Sequence, residues 1–397
     1  MDYAKAFYGI EKDYFIKNSC AFTSEEIAQQ PGLWNDLAYT LSQKQEEIQQ
    51  FIKSLGDLNK IRIIFTGAGS SAFVGETLST LITKSTGIRT EAIHTTDIVS
   101  APESYLIPDI PTLLVSFARS GNSPESVGAV KYAREAIKEL YEVAIICNKN
   151  SSLYEFTQNS ERKLTLLMPE GSNDRGFAMT SSVSCMLLAG FALFNADKIK
   201  DIRADISLLA SNVEKSALKF TEAAKDCADM EFDRIAFLGC AELKHVAHEA
   251  ALKIMELTNG IVNGSFDSPT GFRHGPKSVI KDKTVTVHLI SGDKFTSRYD
   301  MDLLNEVNSQ KKLNKTVVLS GDDSDAVSGD IRVITSAKVY NYCYELCISM
   351  EMLVFCQMLA MFKSLSIGIT TDDPSPSGEI NRVVKGVTIY DYTRSVS

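Results

Sequence analysis

Short runs of apolar, often β-branched residues alternate along the chain with longer stretches of helical periodicity. The runs RIIFTGAG (62–69), LLVSFARSG (113–121) and VAIICN (143–148) are each followed by a helical pattern. Strands that alternate with helices predict parallel sheets covered by helices. The hydrophobic pattern therefore predicts an α/β protein.

The same order of elements occurs a second time. RIAFLGCA (234–241) repeats the first run 172 residues later, and VTVHLISGD (285–293) repeats the second run at nearly the same offset. TVVLSG (316–321) matches the third run one step out of register. The repeat predicts two tandem three-layer α/β/α domains, each with a central parallel sheet.

The chain divides into four predicted segments. Helical patterns that precede the first strand define an N-terminal helical segment, and a polar helical stretch near residue 215 separates the two copies. The segments are an N-terminal helical region (1–50), a first domain (51–214), a second domain (215–378) and a C-terminal tail (379–397).

Charge and composition limit the classes of molecule that the protein is expected to bind. The chain has 397 residues with 44% hydrophobic and 23% charged residues, as in globular proteins, and a formal net charge of −9. A net negative charge argues against nucleic acid or an anionic membrane as the main partner. An anionic small molecule must then be held by local donors.

Cysteines and apolar runs give no sign of export or membrane insertion. The eight cysteines lack metal-ligand spacing, which predicts buried thiols in a reducing cytoplasm and no metal site. CMLLAGFALF (185–194) is too short to span a bilayer, and CISMEMLVFCQMLAMF (347–362) carries a glutamate, so both predict buried core helices. The first residues lack the pattern of a signal peptide.

Small hydroxyl side chains follow two strands of the first copy. Ser70 and Ser71 follow the first strand, and Ser120 and Ser123 follow the second. In a parallel sheet the carboxyl ends of neighbouring strands share one crevice, where helix N-termini favour phosphate. The four serines therefore predict a phosphate site, whereas the alternative is that they only cap helices. The second copy carries Asp293 in the matching loop, so the site is expected in the first copy only.

A dinucleotide-binding site is an alternative interpretation of the first loop. Gly67, Gly69 and Ala72 satisfy G-x-G-x-x-A after a strand, and Glu91 lies where a ribose-binding carboxylate belongs. This interpretation would make the protein an oxidoreductase, but it leaves the serines at 120–126 without a role.

The second copy carries titratable groups. His245, Glu249, Lys253 and Glu256 recur along one helix face, although their order is not that of a zinc protease motif. The alternative is a solvated surface stripe. His274 follows in GFRHGP, where a histidine in a turn serves either structure or catalysis.

Several of these motifs resemble one family. EAALKIMEL followed by RHGP resembles the isomerase domain of glucosamine-6-phosphate synthase, and SGNSPES resembles its phosphate loop. EIAQQPGLW and NRVVKGVTIYD resemble the AgaS branch of sugar isomerase (SIS) proteins. The resemblance implies two SIS domains and a ketose/aldose isomerase or amino-sugar-phosphate deaminase.

The resemblance also implies roles for individual residues. Ser70, Ser71, Ser120 and Ser123 would bind the sugar phosphate. Glu256 would move a proton between C2 and C1, and His274 would open the sugar ring from a neighbouring subunit of a homodimer or larger homo-oligomer. Lys385 would form a Schiff base with the ketose. No metal or organic cofactor is implied.

Two residues depart from the synthase pattern. Arg119 replaces a glutamine in the phosphate loop and would add charge to the anion site. Met179 replaces a serine, which leaves a sugar-hydroxyl contact without its donor.

The predicted reaction converts galactosamine 6-phosphate to tagatose 6-phosphate and ammonia. Only about sixty residues precede the first strand, which leaves no room for the ammonia-supplying domain of the synthase and favours amine release. The enzyme alternatives are a fructosamine-phosphate deglycase and a phosphosugar isomerase that releases no ammonia. A phosphosugar-binding regulatory protein is the alternative of another class.

Overall fold

The computed structural model describes residues 3–310, 314–321, 324, 327–335, 340–375, 381–384 and 386–392. The chain forms two compact units, each assembled from separate stretches of sequence. The first unit comprises Leu33–Asp174, Ser181–Arg203 and Ile380–Ser397; the second comprises Met1–Gly32, Arg175–Thr180 and Ala204–Glu379. The four sequence segments remain a prediction about linear organisation.

Each unit contains a five-stranded parallel sheet. The strands of the first sheet are β1 (Arg62–Thr66), β2 (Glu91–Ala92), β3 (Thr112–Ala118), β4 (Leu140–Ile146) and β5 (Lys163–Leu167). Those of the second are β6 (Arg234–Gly239), β7 (Asn263–Asp267), β8 (Thr284–Leu289), β9 (Asn314–Ser320) and β10 (Ile331–Ile334).

The helices follow the predicted alternation with the strands. Before the first sheet lie α1 (Tyr3–Tyr8), α2 (Lys12–Lys17), α3 (Ala21–Ala28), α4 (Gln30–Gln43) and α5 (Gln45–Ser54). Between β1 and β6 lie α6 (Ser70–Thr86), α7 (Thr95–Ser100), α8 (Pro102–Tyr105), α9 (Pro124–Ala136), α10 (Ser152–Gln158), α11 (Ser181–Phe194) and α12 (Ile199–Ala228). Beyond β6 lie α13 (Glu242–Leu257), α14 (Pro269–Phe272), α15 (Thr296–Ser309) and α16 (Tyr344–Ser366).

The two sheets have the same topology. Their strand orders are β2-β1-β3-β4-β5 and, read in the same direction, β7-β6-β8-β9-β10. Phe65 pairs with Val115 in the first sheet, and Phe237 pairs with Val287 in the second, both partners displaced by the predicted 172 positions. The parallel α/β fold with N-terminal helices is confirmed, as is the internal repeat.

The third strand of the repeat corrects the alignment made from the sequence. Val115 pairs with Val143, and its counterpart Val287 pairs with Val317, so the matching residues are 143 and 317 rather than 143 and 316. Side chains alternate across a sheet with period two, so a slip of one residue would turn the apolar set to the wrong face. The observed shift of two residues relative to the 172-residue offset keeps the apolar side chains on the buried face.

Helices cover both faces of the first sheet. On one face, Phe65 and Phe117 stack edge to face, with ring centroids 5.9 Å apart, beneath α6 and α11. Gly190 of α11 lets these helices approach closely, because a Cβ there would lie 2.3 Å from Leu78 of α6. On the other face, Leu114 and neighbouring residues of β1 and β4 pack against α7 and α9.

In the second unit, α16 is a buried core helix, as its sequence predicts. It is long and apolar enough to cross a membrane, yet 94% of its most apolar window is buried in protein. Two of its buried polar side chains have partners: Gln357 accepts a hydrogen bond from Gln30 at 2.8 Å, and Lys363 donates to the Met230 carbonyl oxygen at 2.8 Å. Buried polar groups of this kind are tolerated because they are satisfied.

The cysteines are free thiols, seven buried and one partly exposed. Burial raises the pKa of Cys20, Cys147 and Cys227 to about 12. These thiols are therefore protonated near neutrality, which makes them poor nucleophiles.

Candidate active site

The four predicted phosphate serines lie at one edge of the first sheet. Ser70 and Ser71 open α6 directly after β1, and Ser120 and Ser123 lie between β3 and α9. Because β1 and β3 are neighbouring parallel strands, both loops lie at the same carboxyl edge. The positive ends of two helices therefore point to one edge, as an anion requires.

The N-cap residues of α6 and α9 make no side-chain capping bonds. Ser123 occupies the N-cap position of α9, but its hydroxyl makes no capping bond to the helix backbone. Its Oγ lies 2.6 Å from Oγ of Ser126 instead. α6 likewise has a glycine, Gly69, as its N-cap and no side-chain cap. These serines are thus not consumed in capping.

Backbone geometry at the first loop depends on glycine. A Cβ on Gly67 would lie 2.6 Å from the backbone carbon of Ser71, so only glycine lets α6 start this close to β1. Gly69 has φ 55°, a left-handed conformation that costs glycine little. Ala241 repeats it in the second copy with φ 50°, at a cost in strain.

The segment Ser120–Ser123, called the serine loop here, is held by the residues that follow β4. Asn148 Nδ2 donates to the Ser120 carbonyl oxygen at 3.2 Å, and Asn122 Oδ1 accepts from the Ser152 amide at 2.9 Å. Gly121 has φ 63°, and a Cβ there would lie 2.4 Å from Oγ of Ser151. The sequence analysis did not predict these hydrogen bonds, although the polar run NKNSS (148–152) just after β4 was a signal for them.

The equivalent loop of the second copy is filled by its own carboxylates. Asp300 accepts the Ser291 amide at 2.9 Å, and Asp293 accepts the Thr296 amide at 2.9 Å. Burial raises the pKa of Asp300 to about 6. Backbone donors that would serve an anion are occupied here, which agrees with placing the phosphate site in the first copy.

The dinucleotide alternative loses its ribose-binding carboxylate. Glu91 forms an ion pair with Arg62, in which Arg62 Nε donates to Glu91 Oε1 at 2.9 Å. That arginine lowers the pKa of Glu91. Glu91 therefore has a structural partner on the adjacent strand and needs no ribose.

The polar stripe of α13 is not a solvated surface. Lys253 is completely buried, and Glu249 is 2% exposed. Lys253 Nζ lies 3.3 Å from Glu249 Oε1 and also contacts Glu256 Oε2. Burial alone would lower the pKa of Lys253, but the two carboxylates outweigh it and raise the pKa overall. Lys253 is therefore a buried cation that holds the Glu256 carboxylate in place.

His274 lies in a clamped, exposed turn after α14. Arg273 Nε donates to Glu306 Oε2 at 2.7 Å, and Lys277 also forms an ion pair with Glu306. Ser268 caps α14 by accepting the Gly271 amide at 3.1 Å. The turn that carries the exposed His274 side chain is thus fixed at both ends.

The predicted residues fall into separate parts of the structure. The four serines belong to the first unit, whereas Glu256, His274 and Met179 belong to the second. Lys385 lies outside the described residues. Among the residues described, no group of three or more His, Cys, Asp or Glu side chains is placed to hold a metal ion.

Comparisons with known proteins agree with this geometry. The SIS domain family model matches residues 58–196. D-galactosamine-6-phosphate deaminase AgaS of Escherichia coli is 37% identical over 372 residues, which cover 94% of this chain and 96% of that protein. The Shewanella sp. protein of the same name is 35% identical over 379 residues, covering 94% and 92%.

Solved structures extend the agreement to the fold. Tagatose-6-phosphate ketose/aldose isomerase of Escherichia coli superposes with a TM-score of 0.86 at 34% identity, covering 94% of this chain and 97% of that one. The C-terminal domain of glucosamine-fructose-6-phosphate aminotransferase from Francisella tularensis shares the fold, with a TM-score of 0.72 at 17% identity, covering 88% and 98%. From these similarities together, the chain belongs to the AgaS family of SIS-domain proteins.

Proposed function

We propose that the protein is a cofactor-independent sugar-phosphate isomerase and deaminase that converts galactosamine 6-phosphate to tagatose 6-phosphate and ammonia. The observation that carries the proposal is the pair of uncapped serine-bearing helix starts at the ends of β1 and β3. Relatives that match nearly the whole chain are named as D-galactosamine-6-phosphate deaminases, and this supports the choice of substrate.

The phosphate serves to orient the substrate. Ser70, Ser71, Ser120 and Ser123 hold the phosphate with hydroxyl and backbone donors, so that binding energy at the remote end positions C1 and C2. This need for local donors follows from the chain's net charge of −9, which repels an anion at long range.

The reaction then needs three proton-handling steps. His274 opens the sugar ring, a task suited to an imidazole because it can both accept and donate a proton. Glu256 removes the C2 proton to give an enolamine and returns a proton to C1, leaving a ketimine at C2. Water adds to the ketimine, and the C–N bond breaks to release ammonia and the ketose phosphate.

The buried ammonium of Lys253 supports this role for Glu256. A cation in contact with Glu256 holds its carboxylate in one orientation. Lys385 is proposed, on the family resemblance, to form a Schiff base with the ketose.

The active site is proposed to be shared between subunits of a homo-oligomer, with His274 supplied in trans. The exposed, clamped turn that carries His274 supports this arrangement. The test mixes the inactive Ser120→Ala/Ser123→Ala and His274→Ala variants under conditions that allow subunit exchange. Activity should return, because each mixed dimer would contain one intact site, which is half of the normal number. A mixture that stays inactive despite proven exchange would place each site within one chain.

The protein is proposed to act in the cytoplasm.

One experiment separates the candidate functions. The protein is incubated with galactosamine 6-phosphate and with glucosamine 6-phosphate, and both ammonia and ketose phosphate are measured. Equal amounts of both products from galactosamine 6-phosphate support the proposal. Ketose phosphate without ammonia from non-amino sugar phosphates identifies a plain isomerase, turnover of fructosamine phosphates alone identifies a deglycase, and binding without turnover identifies a regulatory protein.

A further inference from the structure

The side chain of Arg119 connects the serine loop to the end of the chain. Arg119 immediately precedes the loop and is 6% exposed. One guanidinium nitrogen donates to the carbonyl oxygen of Arg382 at 2.8 Å, and the Arg382 guanidinium donates to the carbonyl oxygen of Asp174. Residues 381–384 and 386–392, called the C-terminal segment here, are thus tied to the start of the loop.

The C-terminal segment has a second anchor on α9, beyond the loop. The Tyr132 hydroxyl donates to the Tyr390 carbonyl oxygen, and its ring centroid lies 5.1 Å from that of Tyr392. Ile389 packs on Gly128, where a Cβ would lie 3.1 Å from its Cγ2. The segment is therefore fastened on both sides of the serine loop.

The position of Arg119 separates it from the α9 side of the sheet. Ala118 packs into the core beneath α9, and Phe117 packs on the opposite face near Gly190 of α11. Arg119 follows the end of β3, and its guanidinium bonds to Arg382, whose own guanidinium bonds to the carbonyl oxygen of Asp174. There Asp174 accepts the amide of Ser182 at 2.9 Å near the start of α11.

We propose that Arg119 is a positioning residue that holds the C-terminal segment against the serine loop, and that it is not a ligand of the substrate phosphate. The kinetic part of the inference rests on the proposed function, because it assumes that a phosphosugar occupies the loop. The buried guanidinium of Arg119 is already bonded to a backbone carbonyl oxygen, so its role is to hold the C-terminal segment in position. The serines and the helix N-termini bind the anion. The sequence alone suggested the opposite, an added charge in the anion site.

The test compares Arg119→Met, which keeps the bulk of the side chain, with Arg119→Lys, which keeps its charge. Lys131→Ala is the matched control, because Lys131 contacts the same segment only through an exposed ion pair with Asp391. Trypsin cleavage after Arg382 in the folded protein reports on release of the segment. Calorimetric titration with inorganic phosphate reports on the anion site.

Arg119→Met should speed cleavage after Arg382 about tenfold or more, since a bond to a charged group is lost. It should lower kcat at least tenfold while phosphate affinity changes less than twofold. Arg119→Lys should recover part of both losses, and Lys131→Ala should behave like the unaltered protein. Tyr132→Phe, which removes the other anchor, should also speed cleavage, so the inference stays testable if Arg119→Met does not fold.

Two results would overturn the inference: unchanged cleavage in Arg119→Met and Tyr132→Phe, or a tenfold loss of phosphate affinity in Arg119→Met with the segment still protected. Failure of the proposed function gives a different result. In that case the unaltered protein turns over no phosphosugar, while cleavage and phosphate titration still decide the role of Arg119.

Discussion

Lys253 Nζ lies 3.3 Å from Glu249 Oε1 in a setting where the lysine has no exposed surface. A charged pair in the interior is costly unless both charges are compensated. Glu256 supplies the second carboxylate, so the helix face that the sequence marks as polar is a buried ionic cluster beside the proposed base.

Replacing Lys253 by methionine should destabilise the protein and disturb the base. Removing one member of a buried ion pair typically costs about 3–5 kcal/mol. Without the ammonium, the Glu256 carboxylate loses its ion-pair partner and its fixed orientation, so kcat should fall. Thermal unfolding and steady-state kinetics measure the two effects. Lys244→Met is the control. Lys244 Nζ lies 3.8 Å from Asp267 Oδ1 and its side chain is 39% exposed, so its loss should change neither the stability nor the kinetics.

Replacing Glu256 by glutamine tests the proton transfer itself. The variant should fold and bind phosphosugar normally but lose exchange of the substrate C2 proton with solvent deuterium, measured by NMR. Glu249→Gln is the comparison, since it changes the same cluster from its more buried side. Undiminished exchange in Glu256→Gln, with loss in Glu249→Gln, would assign the base to Glu249.

Replacing Ser120 and Ser123 by alanine tests the phosphate site. Each lost hydrogen bond to a charged group is worth about 1.5–3 kcal/mol, so KM should rise at least about tenfold per serine. The preference for phosphorylated over unphosphorylated sugar should shrink with it. Ser291→Ala is the control in the second copy and should leave KM unchanged. A normal KM in both first-copy variants would reduce the serine loop to a structural connection.

Asp300 should make stability fall as pH rises. Burial raises its pKa from 3.8 to about 6, so the folded state binds this proton more tightly than the unfolded state. The stabilisation is complete below about pH 4 and is lost as pH rises through about 6, a change of up to about 3 kcal/mol. Asp300→Asn should therefore raise Tm at pH 8 relative to the unaltered protein by more than at pH 4.

Asp302 on the same helix is exposed and provides the control for that measurement. Asp302→Asn should leave the pH dependence of Tm as it is. An equal shift in Tm at both pH values for Asp300→Asn would show that the Asp300 carboxyl group does not cause the pH dependence of stability.

The sequence predicts the repeated parallel fold well because strands and their order depend on local apolar patterns. The offset of 172 residues holds for Phe65 and Phe237, and at the third repeated strand it grows by two residues, from Val143 to Val317. The serine clusters were also visible, since glycine and serine directly after a strand are a local signal.

Contacts between distant parts of the chain were not predictable in this way. Spacing places Lys253 on one helix face but does not say whether that face meets water or α16. Arg119 and Arg382 are 263 residues apart, and no periodicity links them. Charge type alone therefore suggested an anion ligand at position 119, where the structure has a bond to a backbone carbonyl.

The second unit takes its first helices from the start of the chain and their partners from near its end. The amides of Phe22 and Thr23 each donate to Asp372 at 2.9 Å, across about 350 residues of sequence. At a ribosomal rate of about 5–20 residues per second, these amides wait roughly 20–70 s for their acceptor. During that interval α3 and its neighbours lack the partners that bury them in the folded unit, so the nascent chain is more exposed to aggregation than the finished protein.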